Sequence, residues 1–164
     1  MISKKMQNAL NDQINAELYS AYLYSAMEAY FLSVNLDGFA NWMCVQSREE
    51  MAHARKICDF INERGGRVVL DAIDKPPTEW KSPLAVFEVG YKHEQKVTGL
   101  INKLVELAVK EKDRATEIFL QWFVTEQVEE EKNASEIVAE LQMIKGVPQA
   151  MYMMDKELGM RKGD

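Results

Sequence analysis

Long apolar runs are missing from this sequence, as are positive charge in excess and most of the residues that break helices. No stretch approaches the ~20 consecutive apolar residues of a membrane span, so no membrane partner is expected. The N-terminus, Met1-Ile2-Ser3-Lys4-Lys5-Met6-Gln7-Asn8, lacks the apolar core of a signal peptide. A net charge of -6 argues against nucleic acid as a partner and favours cations. Only two cysteines occur, Cys44 and Cys58. On one helix they would stand about 21 Å apart, too far to pair, and two free thiols suit a reducing cytoplasm. With 8 Gly and 4 Pro in 164 residues, and Ala, Leu, Met, Glu and Lys abundant, the chain has the usage of a helical protein. That length fits one domain with a sizeable core.

What is present is helical periodicity. A first helix is expected from an N-cap at Ser3 to about Leu32, with Leu10, Ile14, Glu17, Ala21 and Tyr24 along its seam. The short break Ser33–Gly38 returns the chain antiparallel into a second helix, about Asp37 to Arg64, that stops at Gly65-Gly66. Its apolar stripe is Phe39, Met43, Ile57 and Phe60. Arg67 to Ser82 carries Pro76-Pro77 and no helical period. A helix of about 28 residues is ~42 Å long, and about 16 extended residues reach ~53 Å. The segment can therefore cross the whole bundle, making the second and third helices parallel. Val68, Val69, Leu70 and Ile73 would then need apolar surface, such as that of a second subunit.

The third helix is expected from Ser82-Pro83, with Leu84, Phe87, Tyr91, Glu94, Val97, Ile101 and Ala108 inward. After the polar turn Lys110–Asp113 a fourth helix points Phe119, Phe123, Gln127, Glu130, Ala134, Ile137 and Leu141 inward, up to Gly146. A Met-rich fifth helix over Gln149–Met160 is too short to be stable alone. The expected fold is all-α: a four-helix bundle over about 3–145, one long crossover, and a C-terminal helix over about 148–161, within a single domain of 1–164.

Each inward stripe is interrupted by acid. Glu50 and His53 lie one turn apart on one face of the second helix. Glu17, Glu50, Glu94 and the pair Gln127/Glu130 fall near the midpoints of their four helices. In a bundle, midpoints share one layer whichever way each helix runs. Bare carboxylates there would repel and protonate, whereas two divalent cations neutralise them. Buried polar pairs within a purely structural helical scaffold remain the alternative.

Three stretches carry a resemblance: Glu49-Glu50-Met51-Ala52-His53, Tyr91-Lys92-His93-Glu94-Gln95, and Phe119 to Lys132 with Gln127-Val128-Glu129-Glu130. They resemble bacterial non-haem ferritin, and the similarity covers nearly the whole chain. Di-iron carboxylate bundles place single glutamates on two helices and Glu-x-x-His on the other two. Here the fourth helix reads Gln127-x-x-Glu130 instead, which disfavours the bacterioferritin centre.

The resemblance implies a cytoplasmic ferroxidase that oxidises Fe(II) with dioxygen and stores ferric mineral in a shell of 24 identical subunits. By position it implies a first iron site of Glu17, Glu50 and His53. The second would use Glu94 and Glu130, with Glu50 as the bridge and Gln127 beside them as a weak or supporting group. Glu49, Glu126 and Glu129, with Glu130, match an additional third iron site. Tyr24 would hydrogen-bond a ligand or supply an electron, with Trp122 as a weaker donor. Hard carboxylates favour Fe(III), although zinc or manganese could take the same ligands. A soluble di-iron oxidase or peroxidase that stores nothing is the alternative within the fold.

Haem is not expected: Met51, where haem-binding relatives carry methionine, lies off the seam. His93 also reads as off the seam, a solvated or interface histidine. Glu117 aligns with an acidic pore position, but Leu120, one turn later, lacks the second acid.

Overall fold

In a computed structural model, described over residues 1–163, the chain forms five helices: α1 Lys4–Ser33, α2 Asp37–Glu63, α3 Pro83–Glu111, α4 Arg114–Met143 and α5 Pro148–Leu158. Asp164, the last residue of the expected domain, lies outside the described residues. No β-strand occurs among them, and none of their helices is long and apolar enough to cross a membrane.

The helix ends follow from local chemistry. Ser3 Oγ accepts the Met6 N–H at 3.0 Å and caps α1. Ser82 caps α3 in the same way, with Pro83 at its first position. Asp113 caps α4 through Thr116. The start of α2 differs, because its N-cap Leu36 has no side-chain acceptor. The acceptor comes from α5 instead: Asp155 Oδ1 takes the N–H groups of Gly38 at 2.8 Å and Phe39 at 3.2 Å. Gly65, with φ +70°, ends α2 in the left-handed region that glycine tolerates.

Aromatic contacts fix the topology. Phe87, near the start of α3, packs on Phe39 and Trp42, near the start of α2, with ring centroids 6.0 and 5.1 Å apart. Phe119, near the start of α4, stacks on Phe60, near the end of α2, at 3.9 Å and 4°. So α3 runs parallel to α2 and α4 runs back. The crossover spans the bundle between them.

One face of α1 holds the crossover. Gln7 Oε1 accepts the Arg67 N–H at 3.0 Å. Asn11 exchanges bonds with the Arg67 carbonyl and the Val69 N–H, both at 3.1 Å, and Asn15 donates to the Ala72 carbonyl at 2.9 Å. These amides recur every four residues, one per turn. Val68 packs partly against the core, while Val69, Leu70 and Ile73 stay exposed.

Two apolar clusters fill the bundle. One contains Met27, Phe31, Phe39, Met43, Phe87 and Leu141; the other contains Leu10, Ile14, Ile57, Ile61, Ile101 and Phe123. Several seam positions are corrected. Phe60, Leu84, Tyr91 and Phe119 are only partly buried, whereas Ile61, Gly90 and Leu120 are fully inside. These neighbours lie one residue along, a rotation of about 100° per residue.

α5 packs against α2. Its Met154 is buried against its own subunit's core, with Met151 and Leu158 packed beside it. Only Tyr152 and Met153 keep large apolar faces in the open. α5 therefore buries one face within the subunit, the support that a helix too short to be stable alone needs.

Candidate metal centre

Between the two apolar clusters lies a layer of buried polar side chains. Glu17 comes from α1, Glu50 and His53 from α2, Glu94 from α3, and Gln127 and Glu130 from α4; none exceeds 5% exposure. No lysine or arginine is buried among the described residues, so none lies within this layer of acids.

The layer divides into overlapping groups. Glu17, Glu50 and His53 each bring a ligand atom within 4.8 Å of the others, and so do Glu50, Glu94 and Glu130. Glu50 belongs to both, as a bridging carboxylate must. His53 Nδ1 lies 3.4 Å from Glu50 Oε2, and its Nε2 faces Glu126 Oε1 at 4.0 Å. A third group, His53, Glu126 and Glu130, extends the cluster outward.

Amide donors orient these acids. Gln13 Nε2 donates to Glu17 Oε1 at 2.8 Å. Gln46 Nε2 reaches both Glu50 Oε1 at 3.0 Å and Glu130 Oε2 at 2.8 Å. Gln127 Nε2 donates to Glu94 Oε2 at 3.2 Å, while Tyr24 donates its hydroxyl proton to Glu94 Oε1. Gln127 thus meets Glu94 with its N–H group, in a supporting position. Gln13 and Gln46 escaped the sequence reading, although each stands four residues before the glutamate it holds.

The electrostatics are those of a site that favours a cation. Burial, then the charge of Glu50, pushes Glu17 up to about 8. Burial, then Glu94, does the same to Glu130, which also rises to about 8. Glu50 and Glu94 are raised too, chiefly by burial. Burial and the neighbouring carboxylates also push the Tyr24 phenol well above its ordinary value. One observation tests the fit of a metal directly. Glu17 is 1% exposed, yet its Oε2 has no hydrogen-bond partner, and the side chain belongs to the group formed with Glu50 and His53. An orphaned carboxylate oxygen in an apolar interior is costly, and a divalent cation satisfies it.

The expected accessory residues line a cleft of about 390 Å³ beside this layer. Glu49, Glu126 and Glu129 border it with His53, Glu130 and Trp122. Glu126 approaches the paired groups, Glu129 is exposed, and Glu49 is ion-paired with Arg161 at 2.5 Å. Trp122 stacks edge-on with His53 at 5.3 Å under the Lys56 ammonium.

His93 requires correction. It is buried, 8% exposed, with Nε2 2.7 Å from Ser20 Oγ and its ring against Tyr19. Burial, then Lys96, lowers its pKa to about 4, which keeps it neutral. It is therefore buried rather than solvated. Met51 is exposed, off the seam as expected. Leu120 is fully buried and so lines no channel, while Glu117 pairs with Arg114 at 2.5 Å.

Four helices whose buried acids gather into overlapping groups that could hold metal define the class: a four-helix bundle with a candidate carboxylate metal centre. Comparison with known proteins narrows that class. A ferritin-like domain model matches residues 7–144. The bacterial non-heme ferritin of Bacteroides fragilis (strain 638R) is 47% identical over 161 residues, covering 98% of this chain and 100% of that protein. A closed form of the Archaeoglobus fulgidus ferritin, engineered by site-directed mutagenesis, superposes with a TM-score of 0.99 at 56% identity, over the full length of both chains. The open-pore ferritin of the same archaeon gives 0.97 at 57%, over 98% of each. The chain belongs to the ferritin family, whose function is iron storage with ferroxidase activity.

Proposed function

We propose that each subunit oxidises Fe(II) at a paired site and that 24 subunits close into a cytoplasmic shell that keeps the ferric product. The observation that carries this reading is the sharing of Glu50 between two ligand groups. In the proposal one Fe(II) is held by Glu17, Glu50 and His53. The other is held by Glu50, Glu94 and Glu130. Each iron gives one electron, and dioxygen takes both with two protons to form hydrogen peroxide.

The chain's own residues prepare this step. Gln13 and Gln46 aim the carboxylates before metal arrives, so little reorganisation is needed on binding. Tyr24, held on Glu94, fixes that ligand and stands close enough to supply a further electron. The two metal positions differ: one has an imidazole and the other oxygen alone. The oxygen-only position, with hard donors alone, is the one that most favours Fe(III). Glu126, Glu129 and Glu49, with Glu130, form an accessory position outside the pair. No haem is assigned to Met51, which is exposed and off the buried seam.

Anaerobic loading followed by oxygen tests the reading. Wild type should oxidise two Fe(II) per subunit in a fast phase and then continue to accumulate soluble ferric mineral in particles of about 24 subunit masses. A fast phase followed by precipitation would indicate an oxidase that does not store. Absence of any fast phase would indicate a scaffold.

A further inference from the structure

The C-terminal tail brings an arginine into the accessory cleft. Arg161 Nη2 lies 2.5 Å from Glu49 Oε2, and Nη1 donates to the Trp42 carbonyl at 3.3 Å. The guanidinium lies over the Trp42 ring, 4.3 Å from its centroid. Both charged side chains are largely shielded, with 20% and 27% exposure for Arg161 and Glu49. The same cleft holds Glu126, Glu129 and Glu130.

Resting on the accessory position proposed above, we infer that Arg161 is a built-in competitor for it. The guanidinium occupies Glu49 until a divalent cation displaces it. A guanidinium does not lose its proton in a protein, so this charge can leave the cleft only by moving. A cation binding through Glu49 must break the ion pair first, which lowers its apparent affinity below that of the paired site. The cleft therefore fills last, and its filling releases Arg161 from Trp42.

The ion pair is not needed to hold the tail in place. Asn41 Nδ2 already donates to the Arg161 carbonyl at 3.0 Å. Upstream, α5 is anchored by buried Met154 and by the bonds of Asp155 to α2. The side chain of Arg161 can swing away while its backbone stays.

Zinc, which is redox-inert, separates binding from turnover. Anaerobic calorimetry on the assembled full-length protein should resolve two tight zinc ions per subunit and a weaker third. Arg161→Met keeps an apolar stem over Trp42 but removes the charge. It should tighten the third event by about tenfold, the scale of one partly exposed charge-assisted bond, and leave the first two unchanged. Arg161→Lys should fall between. Tryptophan emission should shift more with the third equivalent in wild type than in Arg161→Met, where only Trp122, on the border of the cleft, responds. An unchanged or weakened third event in Arg161→Met overturns the inference. The double variant Glu126→Ala/Glu129→Ala is the reference for the accessory position itself and should abolish the third event. If that event survives in the double variant, or is absent from wild type, the accessory assignment fails and the inference falls with it.

Discussion

Asp155 Oδ1 accepts the backbone N–H of Gly38 at 2.8 Å, across a separation of 117 residues. Through that bond the last helix supplies the N-terminal cap that the second helix lacks. The approach is so close that a Cβ on Gly38 would lie 1.6 Å from the Asp155 carbonyl oxygen. Gly38 is required by its neighbour, since its own backbone conformation is ordinary.

Gly38→Ala should therefore push α5 off the bundle, and Asp155→Ala should remove only the cap. The second change is expected to cost about 1 kcal/mol and the first more. Hydrogen exchange over residues 148–158 should rise sharply in Gly38→Ala, while two tight metal ions per subunit remain. Retained protection in α5 would contradict the contact. Truncation after Gly146 should act similarly, keeping the paired site but leaving the α2 N-terminus uncapped and the particle less heat-stable and leakier to mineral.

The order of the helices and the shared depth of Glu17, Glu50, Glu94 and Glu130 were legible because both depend on spacing alone. An acid at the midpoint of each helix must meet the others in any closed bundle. Groups that act across elements were not legible in this way. Asp155 reads as an ordinary polar residue of a short helix until α5 is seen against Gly38. Arg161 reads as a basic tail residue until it is seen on Glu49. His93 looked solvated because the stripe was drawn through Tyr91, one helical step away from the side that is buried at Gly90 and His93. Gln13 and Gln46 carried a usable signal, a glutamine one turn before a site glutamate.

Gln46 ties the two halves of the site together, bonding Glu50 and Glu130 with one amide. Gln46→Leu keeps the volume and removes the donor. Loss of such a supporting bond costs on the order of 10–100-fold in metal affinity or activity. Stopped-flow oxidation should show a fast phase slowed by that order, with particle size unchanged. Wild-type kinetics would mean that the amide has no part in holding the ligands.

His53 stands between the paired and accessory positions, with Nδ1 toward Glu50 and Nε2 toward Glu126. His53→Ala and Glu50→Ala should each abolish the fast phase while the helical fold and the particle mass of the wild type are kept. Glu129→Ala should spare the first two irons oxidised and alter the later stoichiometry, because both ligand groups sharing Glu50 remain intact. A lost first phase in a folded Glu129→Ala protein would require the division between the positions to be redrawn.

The metal-free protein should become less stable as pH rises from about 5 to 8. Glu17 and Glu130 ionise near 4.5 when exposed and near 8 in the folded bundle, chiefly because of burial. Between those values the folded state binds more protons than the unfolded state. Stability therefore falls with rising pH, by up to about 1.4 kcal/mol per pH unit for each group. Divalent metal reverses the sign, because it replaces the protons and binds more tightly as they leave. Thermal midpoints of the metal-free protein should fall from pH 5.5 to pH 8, and the gain on adding zinc should widen over the same interval. Glu17→Gln should flatten the metal-free slope and raise the midpoint at pH 8, since it removes an ionisable group from an apolar interior. A metal-free midpoint that climbs with pH in wild type would show that these carboxyls are already ionised, and that something other than a bound cation stabilises their charge.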